Sequence, residues 1–226
     1  KALSGNSFPQ YNMRNADGFH DNELATYRKF RGGQQNENYL MNINDPAAAH
    51  PFLDLMNIGA IIFDSRQGTT FMPIQTAMGE AYIYGSSVVM DDDKAIEALK
   101  NGFEYREKVI LSESPEQKAD GGIAQGSAKL VQMPKMDTQV FQVQSDRNGF
   151  MVVAGNYHPY WKATVNGKPA KVYKAFGNLR AVEIPKGTSE VRMEYRSRPF
   201  HACIWLSLVA AVLLAGLGVF SRFKRA

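Results

Sequence analysis

The stretch that most constrains this chain is its last apolar run. From Ala202 to Phe220 there is no charged residue, and only Ser207 and the weakly polar Cys203 interrupt the hydrocarbon side chains. A helix of this length, at about 1.5 Å per residue, covers roughly 28 Å, close to the hydrocarbon thickness of a bilayer. The competing reading is a buried helix of a soluble protein, but such helices keep a polar face and this run has none. One C-terminal transmembrane helix is therefore expected over 200–221, with a basic cytoplasmic tail at 222–226 and the lipid bilayer as first partner. Arg222, Lys224 and Arg225 follow the run, whereas Arg196 and Arg198 precede it. The positive-inside bias then puts the soluble region on the extracytoplasmic side.

Composition narrows the rest. The 226 residues are 44% hydrophobic and 21% charged, enough for one large core or two modest ones. Formal charge is +4, but three of the basic residues sit in the tail, so the soluble part is near neutral. No lysine- and arginine-rich face interleaved with aromatics appears, which argues against nucleic acid as a partner. The single cysteine, Cys203, excludes an intrachain disulfide and a cysteine-rich metal site. The chain opens on Lys1 without a signal segment. Two organisations fit that opening: a tail-anchored protein, or the last piece of a longer polytopic one.

Local signals divide the chain further. Residues 1–20 read as loop. Asp21 caps a helix expected from Asn22 to Arg31, and Asp45-Pro46 opens another, expected to reach Asn57 with Pro51 as a possible kink. Ala60 to Phe63 is a short buried strand, 65–79 a loop, and Glu80–Tyr84 and Ser87–Met90 strands. Asp91-Asp92-Asp93 favours a helix start over Lys94–Asn101 rather than a metal site. Arg106–Leu111 is a further strand. Residues 115–126 have linker composition. Beyond them the pattern turns to period two, with runs at 128–133, 139–144, 149–154, 161–165, 169–173, 178–184 and 190–195. Asn166-Gly167 marks a hairpin between two of them. The fold class expected is α+β: a small mixed unit over 1–114, a linker at 115–126, an immunoglobulin-like antiparallel β-sandwich over 127–198, and the closing helix.

A resemblance adds to this reading. Gly155-Asn-Tyr-His-Pro-Tyr-Trp-Lys-Ala-Thr-Val-Asn-Gly-Lys168, then Phe176-Gly-Asn-Leu-Arg-Ala-Val-Glu-Ile-Pro-Lys-Gly187, then Val191-Arg-Met-Glu-Tyr195, resemble the C-terminal part of the YfhO family of bacterial membrane proteins. Upstream, Tyr11 to His20, Leu55 to Ile62 and Gly79 to Tyr84 look like further segments of that family in the same order, with Phe19 and Glu80 departing from its usual residues. The resemblance implies the tail of a longer polytopic protein in the bacterial cytoplasmic membrane, whose other transmembrane helices would be partners. Its members resemble glycosyltransferases that take sugar from a polyprenyl-phosphate carrier and decorate envelope glycans. Their acidic catalytic residues lie in loops between early spans, so no catalytic residue is expected in this chain. A non-enzymatic, membrane-anchored module that binds glycan or protein is the alternative.

No nucleophile motif, phosphate loop or metal spacing appears, and neither a cofactor nor a metal is expected. The candidate substrate-binding residues are His20, Tyr157, His158, Tyr160, Trp161 and Arg180. Aromatic rings with a polar edge suit sugar faces and membrane interfaces alike. Arg180 suits a phosphate or carboxylate. Each has a structural counterpart: a helix-start His20, a core Trp161 with Tyr157 packed beside it, and an ordinary ion pair at Arg180.

Overall fold

The computed structural model describes residues 24–31, 46–65, 68–135 and 137–223. Its elements are, in order, α1 (Ala25–Phe30), α2 (Pro46–Leu55), β1 (Ala60–Ser65), β2 (Gly68–Pro73), β3 (Ala81–Tyr84), β4 (Ser87–Val89), α3 (Asp92–Lys100), β5 (Val109–Leu111), β6 (Gly126–Lys135), β7 (Thr138–Ser145), β8 (Gly149–Asn156), β9 (Trp161–Val165), β10 (Lys168–Ala170), β11 (Val172–Ala175), β12 (Leu179–Ile184), β13 (Gly187–Tyr195) and α4 (Arg198–Phe223). The chain is strand-rich with few helices, and its sheets pack as a β-sandwich.

One sheet has the order β10-β9-β13-β7-β6 and the other β3-β8-β12-β11-β5-β4. Pairing is antiparallel except for β4 on β5. Between the sheets lie Phe141, Val143, Ala163, Val191 and Met193 from the first, and Ala81, Met151, Val153, Val182 and Ile184 from the second. The other face of the six-stranded sheet is also covered. Tyr82, Tyr84, Phe150, Val152, Tyr173 and Ala181 pack there against Phe52 and Leu55 of α2, Ile96 and Leu99 of α3, and Phe30 of α1. Three layers result: sheet, sheet and helices. β3 from one side of residues 115–126 pairs with β8 from the other, and β5 pairs with β11. The entry of β8 is tight. A Cβ on Gly149 would run into the Tyr84 carbonyl, so only glycine lets the two backbones meet.

Three elements depart from expectation. Residues 65–79, expected as loop, contain β2, which closes an antiparallel ribbon with β1 from Ala60↔Pro73 to Ser65↔Gly68. Thr69, Thr70 and Phe71 have strand propensity that their polar neighbours obscured. The run at 169–173 divides: β10 pairs with β9 in one sheet and β11 with β12 in the other, so the chain changes sheet at Lys171. The helix expected from Asp21–Asn22 is observed from Ala25, with Leu24 as an N-cap that makes no side-chain bond. Pro51 lies inside α2 without ending it.

The closing helix is present, but the transmembrane assignment over 200–221 needs correction. Among the described residues no helix is long and apolar enough to cross a membrane. The apolar side chains described in α4 run from Cys203 to Leu214. They are exposed on every side: Trp205, Leu206, Leu208, Val209, Val212, Leu213 and Leu214 all face away from protein. Of the basic tail expected at 222–226, Arg222 and Phe223 lie in α4 and residues 224–226 lie outside the described residues.

Two polar devices fix the layers. Asp54 of α2, 1% exposed, accepts from Thr76 Oγ1 at 2.5 Å and Tyr105 Oη at 2.6 Å, and is paired with Arg106. One carboxylate thus holds a helix and two loops. Residues 112–125 have no regular element, yet they are strapped to the sandwich. Glu183 Oε1 accepts from the amides of Glu116 and Gln117, Asp120 Oδ2 from the amide of Asn148, and Asp146 Oδ1 from the amide of Gln125. Arg147 closes the strap by donating to the Gly121 carbonyl at 2.8 Å.

Two outcomes follow from these devices. Asp54→Ala leaves Tyr105, Arg106 and Thr76 without their acceptor and should cost about 3 kcal/mol in urea unfolding of the chain. The second concerns acid. Hydrogen bonding to Arg147 and Gln125 holds the Asp146 carboxyl well below the usual range, and the amide and side chain of Asn148 lower Asp120. Both are depressed acids, so their contribution is complete above about pH 4 and is lost as pH falls through the lower folded values. Protection factors of the Gln125 and Asn148 amides, corrected for the intrinsic exchange rate at each pH, should therefore fall below about pH 4, before those of β8.

Candidate functional site

The sandwich has two ends, and chemistry gathers at the one where the chain leaves for α4. Trp161 opens β9 and stands opposite Tyr195, the last residue of β13. Their rings meet edge to face at 5.5 Å. The 157–160 loop folds back onto the same spot, placing His158 4.7 Å from Tyr160 and 5.4 Å from Tyr195. His158 Nδ1 accepts from the Tyr160 amide at 3.3 Å, and the Trp161 amide donates to the His158 carbonyl at 3.0 Å. These bonds make the loop a defined turn, and its rings are half-buried.

Beneath the cluster lies Arg180. On β12 it shares a face with Val182 and Ile184, so its side chain enters the space between the sheets and is 3% exposed. Its guanidinium lies over the indole, with Cζ 3.9 Å from the Trp161 ring centroid. Its polar contacts are poor: Nε reaches the Gly155 carbonyl at 3.4 Å and Nη1 the Met193 sulfur at 3.8 Å. A Cβ on Gly155 would collide with the guanidinium, so the glycine makes room for it. Burial alone pushes the arginine down to about 10, and no carboxylate among the described residues offsets it. It still carries its charge at neutral pH. Stacking on a desolvated indole contributes about 2 kcal/mol, whereas burying an unpaired cation costs several. The balance is unfavourable, and an incoming anion would reverse it.

A second cation stands alongside. Lys174 is the cross-strand partner of Arg180. Its Nζ is 5.4 Å from the Tyr157 ring centroid and is held by Asp92 at 2.7 Å. The Tyr157 amide donates to the Asn178 carbonyl, and buried Asn178 donates to Asn156 Oδ1 at 2.9 Å. The structure thus brings His158, Tyr160, Trp161 and Arg180 into one cluster and sets Tyr157 beside it on Lys174. His20 lies outside the described residues. Sequence reasoning missed Tyr195, Met193, Gly155 and Lys174, because only strand register places them here. The three acids at 91–93 each have a partner: Asp91 caps the Lys94 amide, Asp92 holds Lys174 and Asp93 holds Lys29. Among the described residues no group of three or more metal-ligating side chains comes together.

The model of the family described as "Bacterial membrane protein YfhO" matches residues 114–207. Residues 114–207 are a YfhO-family region. Neither a curated protein nor a solved structure gives a significant match to the chain. The YfhO region begins within the strap, takes in β6 to β13 and ends inside α4, so it contains the whole Arg180–Trp161 cluster. β3, β4, β5 and the first three helices lie before it, although β3 and β5 complete one of its sheets.

A comparison of two variants separates a structural arginine from one kept for a ligand. Arg180→Met removes the unpaired charge while keeping an apolar stem. It should leave stability unchanged or raise it by about 1 kcal/mol. Trp161→Ala should lower it by about 3 kcal/mol. Urea unfolding followed by far-UV circular dichroism measures both, and a loss above about 2 kcal/mol in Arg180→Met would make the arginine a packing residue.

Proposed function

We propose that this chain is the extracytoplasmic, C-terminal region of a polytopic bacterial membrane glycosyltransferase that takes sugar from a polyprenyl-phosphate carrier and modifies envelope glycans. In this reading α4 is seated in the bilayer, the catalytic residues lie outside the chain, and the Arg180–Trp161 cluster positions an anionic part of the acceptor or carrier.

The observation that carries the reading is a charged guanidinium, buried and without a carboxylate among the described residues, under an indole that meets the ring cluster of His158, Tyr160 and Tyr195. Rings supply flat faces for the CH surfaces of a sugar, and a planar fork of N–H donors suits phosphate or carboxylate. The cluster also lies where such a molecule must be met, since β13 ends at Tyr195 and α4 begins at Arg198. The match of residues 114–207 to a bacterial membrane-protein family supports the membrane setting. The fully apolar surroundings offered by α4 support its seating in lipid, because exposed leucines and valines on all sides have no other partner among the described residues.

The test uses the full-length protein in its own cells. Arg180→Met and Trp161→Ala, at wild-type abundance in the membrane, should reduce the modified fraction of envelope glycan at least tenfold by mass spectrometry. Lys186→Met, at the far end of the sandwich, should leave it unchanged. Unaltered glycans in a strain lacking the protein altogether would overturn the glycosyltransferase reading. A full effect of deletion with no effect of the cluster variants would leave the enzyme standing and remove the cluster from it.

A further inference from the structure

The inward faces of both sheets change character at the α4 end of the sandwich. On β7, Val143 and Phe141 belong to the core between the sheets, and the next position on that face is Gln139. On β12, Ile184 and Val182 belong to the same core, and the next position is Arg180. β13 and β9 arrive at this end with Met193, Tyr195 and Trp161. Strand register puts Gln139 directly opposite Met193, so the two side chains share a face. The Met193 sulfur is in turn 3.8 Å from Arg180 Nη1. An amide from one sheet and a guanidinium from the other thus border the same thioether.

Neither polar group is satisfied there. Gln139 is half-buried, and its Oε1 is covered and accepts no hydrogen bond among the described residues. Arg180 has only its two long contacts, neither of them to Gln139. An acceptor buried without a donor is unfavourable, and few native side chains are left so without a cause. Packing supplies no cause, since a leucine or methionine at 139 would continue the apolar series of β7. The two vacant valences differ in kind. A bare anion would satisfy the guanidinium and do nothing for Gln139 Oε1, which needs an N–H or O–H. A hydroxyl group carried beside the anion supplies that donor, and Trp161 and Tyr195 offer ring faces to the carbon skeleton between them.

We infer that Gln139 is a second binding residue of the Arg180–Trp161 site, accepting a hydroxyl of a sugar whose phosphate or carboxylate lies on Arg180. The inference rests on the reading of that cluster as a ligand site, and one experiment separates the two. Trp161 and Trp205 are the only tryptophans, so Trp205→Phe leaves Trp161 as the sole indole reporter, directly over Arg180. The full chain with this change, in detergent micelles, is titrated with glucose 1-phosphate, glucuronate, inorganic phosphate and acetate. One of the two sugars should alter Trp161 emission saturably, with a Kd about tenfold below that of its bare anion. The sugar that binds more tightly identifies the anion as phosphate or carboxylate. Gln139→Met and Gln139→Ala should each raise the Kd of that sugar about tenfold and leave that of the bare anion unchanged. Arg180→Met should abolish binding of all four. Sugars no tighter than bare anions, or a preference that survives in both Gln139 variants, overturns the role of Gln139 while Arg180-dependent binding keeps the anion site. Loss of folding in both Gln139 variants makes the glutamine a packing residue and overturns it equally. Emission that no anion changes in an Arg180-dependent way overturns both the glutamine and the site.

Discussion

The fold depends on a strand buried on both faces. β8 sends Phe150 and Val152 towards the helices and Met151 and Val153 towards the other sheet, and all four are buried. At about 1.5–3 kcal/mol for each fully buried apolar side chain, these four alone contribute roughly 6–12 kcal/mol before entropy, comparable to the net stability of a whole domain. A slip of one residue would exchange the two sets and misfit both layers at once. β8 is also held on each side, by β3 from Ala81↔Val153 to Tyr84↔Phe150 and by β12 along most of its length. The central sheet therefore fixes how the helices and the outer sheet are placed relative to each other.

The same requirement shows in β12 and explains the site. Leu179 and Ala181 face the helices, and Val182 and Ile184 face the outer sheet. The inward series continues back to Arg180, where an apolar residue would have completed the pattern. A bulge between Leu179 and Arg180 interrupts the ladder with β8 at that point. Gly155 clears the space and Trp161 roofs it. Three local departures converge on one guanidinium: an irregular ladder, a side chain omitted and an aromatic laid over it. Packing alone has no need of them, since a leucine would fill the position without desolvating a charge.

Much of this architecture was legible in the sequence. Each of the runs after residue 126 lies in strand, the run at 169–173 being split between two sheets, and alternation is clear where one face meets the core and the other meets water. β7 shows it plainly, with Phe141 and Val143 buried and Gln142 and Gln144 exposed. Asn166 and Gly167 both adopt positive φ, 51° and 76°, as the tight hairpin between β9 and β10 demands. Asp91 caps α3 as its neighbours implied. What the sequence withheld was partnership. Nothing in Ala81-Tyr-Ile-Tyr84 announces that it joins β8, some 70 positions on, rather than a nearer strand. The site suffered likewise. Trp161 and Arg180 were visible as residue types, but Tyr195 and Lys174 became part of the cluster only through register, and the absence of a carboxylate near Arg180 is a property of three dimensions.

Register also couples the cluster to α4. The Arg196 amide, bonded to Tyr160, lies between the ring of Tyr195 and the first turn of the helix. Any tilt of α4 pulls on Arg196, and through it on the 157–160 loop that carries His158 and Tyr160. Trp161 follows, because its amide is bonded to His158. A guanidinium roofed by an indole that is itself tied to a helix start is sensitive to the position of that helix. The sheet beneath does not share the motion, since β8 and β12 are fixed by burial on both faces. The cation is thus carried by a strand fixed through burial, and its aromatic cover is bonded through His158 and Tyr160 to the start of α4.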